Sequence, residues 1–234
     1  MRLFHRAFHL FLLFLITAIM SGCSQKFNDV NDTLNIALFG DADTQLESFN
    51  INSLPYASIY ARIGNGPRAF MVLALTETPA RFNYQAEIQA LQLKWLSADK
   101  GMLVTEYGRL VKTLNLPQGN LLNTYSKTPD PLRLGLHKTN TPKQWQRTID
   151  WQPGYHFGYQ LKSTFIRQQN AVIMINDKPI ETLHFTEDVL VDSLNVTYQN
   201  DFWLQPQTGK VLKSKQKLAP GLPYVEITLL KPYS

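Results

Sequence analysis

LQLKWLSADKGMLVTEYGRLVKTLNL, residues 91–116, decides the fold class. Within Glu87–Leu96, Leu91, Leu93 and Trp95 alternate with Gln92 and Lys94. That period of two marks a strand with one buried face. Ala98-Asp99-Lys100-Gly101 is a turn leading into Met102–Tyr107, and Gly108 reverses the chain again into Leu110–Leu116. Three consecutive strands joined by such short turns form an antiparallel meander.

The same period extends outward on both sides. Upstream, Tyr56–Ile63 alternates and meets Arg68–Thr76 across Gly64-Asn65-Gly66-Pro67, a hairpin. Downstream, Gln118–Asn140 is rich in Asn, Thr, Pro and Lys and reads as a long loop with room for one helical turn. Strand patterns resume at Gln144–Trp151 and Tyr155–Arg167, then at Ala171–Ile175 and Ile180–Phe185 around an Asn176–Pro179 turn. Val189–Leu204 reads as one long strand, followed by Lys210–Leu218 and Tyr224–Leu230. About ten short strands predict an all-β fold, mainly antiparallel sheet, as a sandwich, barrel or curved half-barrel. No linker or repeat divides the chain.

Before Gly40 the period differs. Phe27, Val30, Leu34 and Leu38 share one helical face, which predicts one N-terminal helix over Gln25–Phe39. Ahead of it, Arg2 and Arg6 precede an apolar run, Ala7–Met20, that ends in Met20-Ser21-Gly22-Cys23. The run is shorter than the ~20 residues that span a bilayer as a helix, so it reads as a secretory signal. Small residues before the single cysteine of the chain mark a bacterial lipobox. The expected organisation is a lipoprotein signal peptide, residues 1–22, and a single lipid-anchored β domain, residues 23–234, with lipid on Cys23. Ser24, rather than Asp, follows Cys23, which resembles the outer-membrane-sorted pattern.

Composition narrows the function. Apolar residues at 44% supply a core, and charged residues at 18% exclude a disordered polyelectrolyte or long coiled coil. The net charge is +5, and removing Arg2 and Arg6 leaves 21 basic against 18 acidic residues. That balance is too mild for a nucleic-acid footprint. One cysteine excludes a disulfide framework and a cysteine-based zinc site. His137, His156 and His184 lie one per segment, without metal-ligand spacing. Gly64-Asn65-Gly66-Pro67-Arg68-Ala69 is followed by a strand, not the helix that a dinucleotide fingerprint needs. Thr208-Gly209-Lys210 lacks the upstream glycine of a P-loop, because position 204 is Leu204. There is no nucleophile elbow, so the expectation is no catalytic residues, no metal and no cofactor.

Two surface features remain. Lys213, Lys215 and Lys217 share one strand face, as lysines guarding a sheet edge do or as a strip for an acidic glycan does. Trp95, Trp145, Trp151 and Trp203 fall on strands as core residues or sugar-stacking platforms, Trp95 and Trp203 being the platform candidates.

The chain resembles the YjbF/GfcB-type lipoproteins, which are associated with group 4 capsule and exopolysaccharide operons of Gram-negative bacteria. The resemblance runs through Leu54-Pro55-Tyr56, Lys94-Trp95-Leu96-Ser97, Met102-Leu103-Val104-Thr105 and Gly108-Arg109-Leu110. It continues through Asp130-Pro131-Leu132-Arg133, Ser163-Thr164-Phe165, Phe202-Trp203, Thr208-Gly209-Lys210-Val211 and Leu229-Leu230-Lys231-Pro232. Where the family often has Asp, two residues after the late tryptophan, this chain has Gln205. The resemblance implies a non-enzymatic, outer-membrane lipoprotein facing the periplasm. Its partners would be the membrane, through the lipid, and polysaccharide or export proteins of the envelope. The alternative is a carrier module for lipid or glycan inside a curved sheet, which an unfilled apolar cavity would favour.

Overall fold

The meander at residues 91–116 is the left arm of one long antiparallel sheet. The computed structural model describes residues 51, 53–78 and 90–233. β1 (Ser58–Ile63) and β2 (Arg68–Glu77) pair across the Gly64–Pro67 turn, with Ala61 opposite Ala69. β3 (Gln92–Ser97), β4 (Met102–Glu106) and β5 (Arg109–Leu114) follow as the expected meander. Then come β6 (Asn120–Tyr125), a one-turn helix α1 (Pro131–Leu134), β7 (Gln144–Gln152) and β8 (His156–Arg167). β9 (Ala171–Ile175) pairs only with the first part of β10 (Lys178–Val191). The chain ends in β11 (Val196–Leu204), β12 (Val211–Lys217) and β13 (Tyr224–Lys231).

The strand order is β5-β4-β3-β2-β1-β13-β12-β11-β10-β8-β7-β6. β1 pairs with β13, so the two arms meet as one sheet that curls into a nearly closed barrel. Its two end strands, β5 and β6, are joined by side chains. The Thr113 hydroxyl donates to Asn120 Oδ1 (3.2 Å) and accepts from the Leu121 amide (3.0 Å), while Asn120 Oδ1 also accepts from the Leu116 amide (3.1 Å). These bonds occupy edge groups that would otherwise invite another strand.

Inward positions recur every second residue. β7 buries Trp145, Arg147, Ile149 and Trp151; β10 buries Phe185, Glu187, Val189 and Val191; β11 buries Asn200, Phe202 and Leu204. One apolar cluster gathers Ile59, Trp95, Leu103, Ile149, Leu161 and Val189 with their neighbours. A second gathers Leu132, Leu136, Trp145, Phe165, Phe185 and Phe202. Each such side chain contributes roughly 1.5–3 kcal/mol by leaving water. Along β7, β8, β10 and β11, one polar residue (Arg147, Ser163, Glu187, Asn200) separates the two clusters.

Five expectations change. Thirteen strands stand among the described residues. The loop expected over Gln118–Asn140 contains β6 as well as its helical turn. Val189–Leu204 is not one strand: β10 ends at Val191, a 3₁₀ turn occupies Asp192–Leu194, and Asn195 takes the left-handed conformation (φ 50°) that starts β11. Asp, Ser and Asn bond their own backbone and so favour such turns. Conversely, the polar run Thr186-Glu187-Asp188 does not break β10, because Glu187 is buried and paired. Finally, β12 lies between β11 and β13, so Lys213, Lys215 and Lys217 guard no edge. The helix expected over Gln25–Phe39 lies outside the described residues.

Candidate functional site

At one end of the barrel the inward side chains do not meet. A cavity of about 690 Å³ opens there, within the ~300–1,000 Å³ of typical small-molecule sites. Ile59, Leu93, Trp95, Ile227 and Leu229 form its floor. They belong to, or pack against, the larger apolar cluster. Its lip carries Tyr107, Leu134 and Tyr233, all exposed. The charged lining residues are Arg133, Lys138, Lys210 and Lys213, and none of the described lining residues is acidic. Lys213 holds its ammonium over the Trp203 ring, 5.3 Å from the centroid. Arg133, whose guanidinium lies 6.0 Å from the Tyr107 ring centroid, Lys138 and Lys210 are the other cations that line the cavity.

The walls are held by specific devices. A four-residue helix has no stability of its own, so α1 depends on its caps and contacts. The Asp130 carboxylate accepts from the Leu132 amide (2.9 Å), Pro131 opens the helix, and Gly135 closes it in a left-handed conformation. Leu132 and Leu136 sink into the second apolar cluster. Arg109, at the start of β5, donates through Nε to the Asp130 carboxylate (2.8 Å) and so ties α1 to the barrel. The β4–β5 turn is fixed by Gln216 of β12: its side chain accepts from the Leu110 amide (3.0 Å) and donates to the Gly108 carbonyl (2.9 Å). Gly108 sits at φ +86°, and a Cβ there would lie 2.4 Å from the Val211 Cβ. Only glycine lets this turn close against β12.

Arg109 also enters the polar layer between the two clusters. Its Nη1 donates to Glu187 (2.6 Å), and Arg147 Nη1 donates to the other Glu187 oxygen (2.8 Å) and to Ser163 (2.6 Å). Asn200 donates a further bond to Glu187 (2.8 Å). Trp145 lies beside both guanidiniums, each 5.0 Å from its ring centroid. Burial alone would raise the Glu187 carboxyl. The Arg109 and Arg147 charges, with hydrogen bonds from Arg109 and Asn200, override it and bring the group down to about 2. Burial would lower Arg109, but Asp130 and Glu187 hold it above its ordinary value. Arg109, Arg147, Asp130 and Glu187 thus form a neutral set of two cations and two anions.

The residues singled out from the sequence separate across β12. Trp95 is 2% exposed, its Nε1 bonded to the Thr105 hydroxyl, and it meets a ligand only from within the cavity. Trp203 faces outward, stacked by His184 (centroids 4.8 Å apart, planes 2° apart) and covered by Lys213. His184 also bonds Asp201 (2.8 Å). Lys215 stands opposite Asp201 and Glu226, and Lys215 and Lys217 both approach the Tyr224 ring. The lysine row is therefore an outer cationic and aromatic face, partly balanced by acids. Trp145 and Trp151 are buried, and His156 stacks on Trp151. Cys23 lies outside the described residues. Sequence reasoning missed the Arg109–Glu187–Arg147 set, although period two along β7 and β10 already places Arg147 and Glu187 inward.

Comparison with known proteins agrees with this architecture. The family model for group 4 capsule polysaccharide lipoprotein gfcB, YjbF matches residues 31–230. The uncharacterized lipoprotein GfcB of Escherichia coli K12 is 33% identical over 222 residues, covering 94% of this chain and 97% of that protein. The uncharacterized lipoprotein YjbF of the same strain is 29% identical over 220 residues, 94% and 96% of the two chains. The crystal structure of the hypothetical lipoprotein YmcC from Escherichia coli K12 superposes with a TM-score of 0.70 at 34% identity, covering 92% of this chain and 99% of that one.

Proposed function

This chain belongs to the YjbF family of group 4 capsule polysaccharide lipoproteins, and from that premise we propose that it is a non-catalytic accessory of capsule or exopolysaccharide assembly or export. It is cleaved before Cys23, anchored by lipid on that residue in the outer membrane, and turned toward the periplasm as one domain. The observation that carries this reading is the family match over residues 31–230. The Met20-Ser21-Gly22-Cys23 lipobox supports the anchor. Deleting the gene should lower surface polysaccharide, and the wild-type gene should restore it. The Cys23→Ser variant should neither label with a fatty-acid analogue nor pellet with outer membranes. Unchanged polymer on deletion, or normal labelling of the variant, would overturn the respective half of the proposal.

The outer face of β12, with Lys213, Lys215, Lys217 and Trp203, is the proposed contact for acidic polymer or an envelope partner. A second reading, that of a carrier or binding module, is favoured by the unfilled apolar cavity at the barrel end.

A further inference from the structure

We infer that the barrel-end cavity binds a single-chain amphiphile: a hydrocarbon tail on the Ile59, Leu93, Trp95, Ile227 and Leu229 floor, and an anionic phosphate or carboxylate head at Arg133, Lys138 and Lys210. The inference deepens the binding-module reading and rests on it.

Three observations converge. The floor side chains are hydrocarbon and indole, the Trp95 N–H is already spent on Thr105, and the two buried hydroxyls that also line the cavity, Thr105 and Ser214, already accept from Trp95 and Gln216. A sugar lodged there would leave most of its hydroxyls without partners, a cost of roughly 1–3 kcal/mol for each buried group; an alkyl or isoprenoid chain carries no such cost. The cavity-side charges are all positive, with no carboxylate among the described lining residues, which selects an anionic head over a neutral or cationic one. The lip residues Tyr107, Leu134 and Tyr233 are 43%, 38% and 49% exposed, so apolar surface leads from solvent to the floor. The basic side chains belong to α1, the loop after it and the β11–β12 turn, all at the entrance. Tail inward and head at the entrance is the only orientation that satisfies both sets.

The test uses the mature, lipid-bearing protein in phosphatidylcholine vesicles. A diazirine-bearing hexadecyl phosphate is photolysed with it, and the labelled residues are mapped by mass spectrometry. Label is expected on floor or lip residues. Unlabelled alkyl phosphates should compete, gaining about fourfold in potency for each methylene that enters the cavity, and then no more once the cavity is full. The alcohol and the trimethylammonium of equal chain length should compete at least tenfold more weakly. Farnesyl phosphate against dodecyl phosphate distinguishes an isoprenoid from an acyl-type source. Lys138→Gln with Lys210→Gln, both exposed positions that leave the core intact, should weaken the phosphate roughly three- to tenfold and leave the alcohol unchanged. Leu229→Trp takes up part of the floor and should shorten the chain length at which potency stops rising.

Label confined to other surfaces, or competition indifferent to head charge, overturns the inference. So does label that appears only when Cys23→Ser removes the anchor, because that result means the protein's own acyl chain fills the cavity in the lipid-bearing form. These outcomes are independent of the polysaccharide reading. Unchanged surface polymer on gene deletion would overturn that reading and leave cavity labelling as it is.

Discussion

Replacing Glu187 by Gln keeps the shape of the polar layer and removes its central negative charge. Arg109 retains Asp130 at 2.8 Å, but Arg147 loses its only carboxylate and keeps neutral acceptors such as the Ser163 hydroxyl. A buried guanidinium left without a counter-charge costs about 3–5 kcal/mol, a large part of the roughly 5–15 kcal/mol that a domain holds in total. Arg147→Met should cost a similar amount, because Glu187 and Asp130 then share one cation. The double variant removes one charge of each sign and leaves the neutral Arg109–Asp130 pair. It should therefore be more stable than the sum of the single losses by several kcal/mol, and no worse than either single variant. Urea unfolding of the mature chain carrying Cys23→Ser, followed by tryptophan fluorescence, measures all three midpoints, with the slope unchanged. Additivity of the two single losses within about 0.5 kcal/mol would refute the reasoning, because uncoupled sites add to that precision.

Three further outcomes follow from the same geometry. The Glu187 carboxyl sits at about 2 against an ordinary 4.5, so its contribution is complete above pH 4.5 and fades as the pH falls toward 2. That loss should amount to about 3 kcal/mol in the urea midpoint series and be absent from Glu187→Gln. Gly108→Ala meets Val211 at 2.4 Å with φ at +86°, and should cost about 2–4 kcal/mol from left-handed strain plus overpacking, read as a lowered Tm. Converting Lys213, Lys215 and Lys217 together to Gln should reduce salt-sensitive retention on acidic polysaccharide. It should leave the mass by light scattering unchanged, because β12 is an interior strand.

Legibility in the sequence followed local pattern. The meander from β3 to β5, the β1–β2 hairpin and the β9–β10 turn were readable because alternation and turn residues coincide there. β6 was hidden: Asn120, Asn123 and Thr124 look like loop, yet Asn120 and Thr113 supply the side-chain bonds that join the barrel ends. From sequence, a false break falls inside β10 because Glu187 reads as loop until its partners on β5 and β7 are known, and the true β10–β11 turn at Asp192–Leu194 goes unread. Those partners lie 78 and 40 residues away, and no local pattern reports them. For the same reason the lysine row looked like an edge: a strand's own residues do not reveal its neighbours. The cavity was invisible too, since each floor residue reads as ordinary core, and only closure of the barrel shows that they fail to meet.

The charged layer and the barrel-end cavity belong to one design problem. A sealed, dry void of 690 Å³ at about 24 cal/mol per Å³ would cost on the order of 16 kcal/mol, more than a domain of this size has to lose. The space is therefore a mouth, wetted or occupied, and not a packing defect. A mouth cannot be held open by filling it, so its walls need attachment from behind. That is where the ionic set lies: Arg109 joins Asp130, which caps α1, to Glu187 in the barrel, while Gln216 pins the β4–β5 turn. Hydrophobic replacement of such a set often preserves stability, but it would not fix α1 at a chosen distance from β12. The directional bonds of Arg109 supply that distance, and with it the cavity.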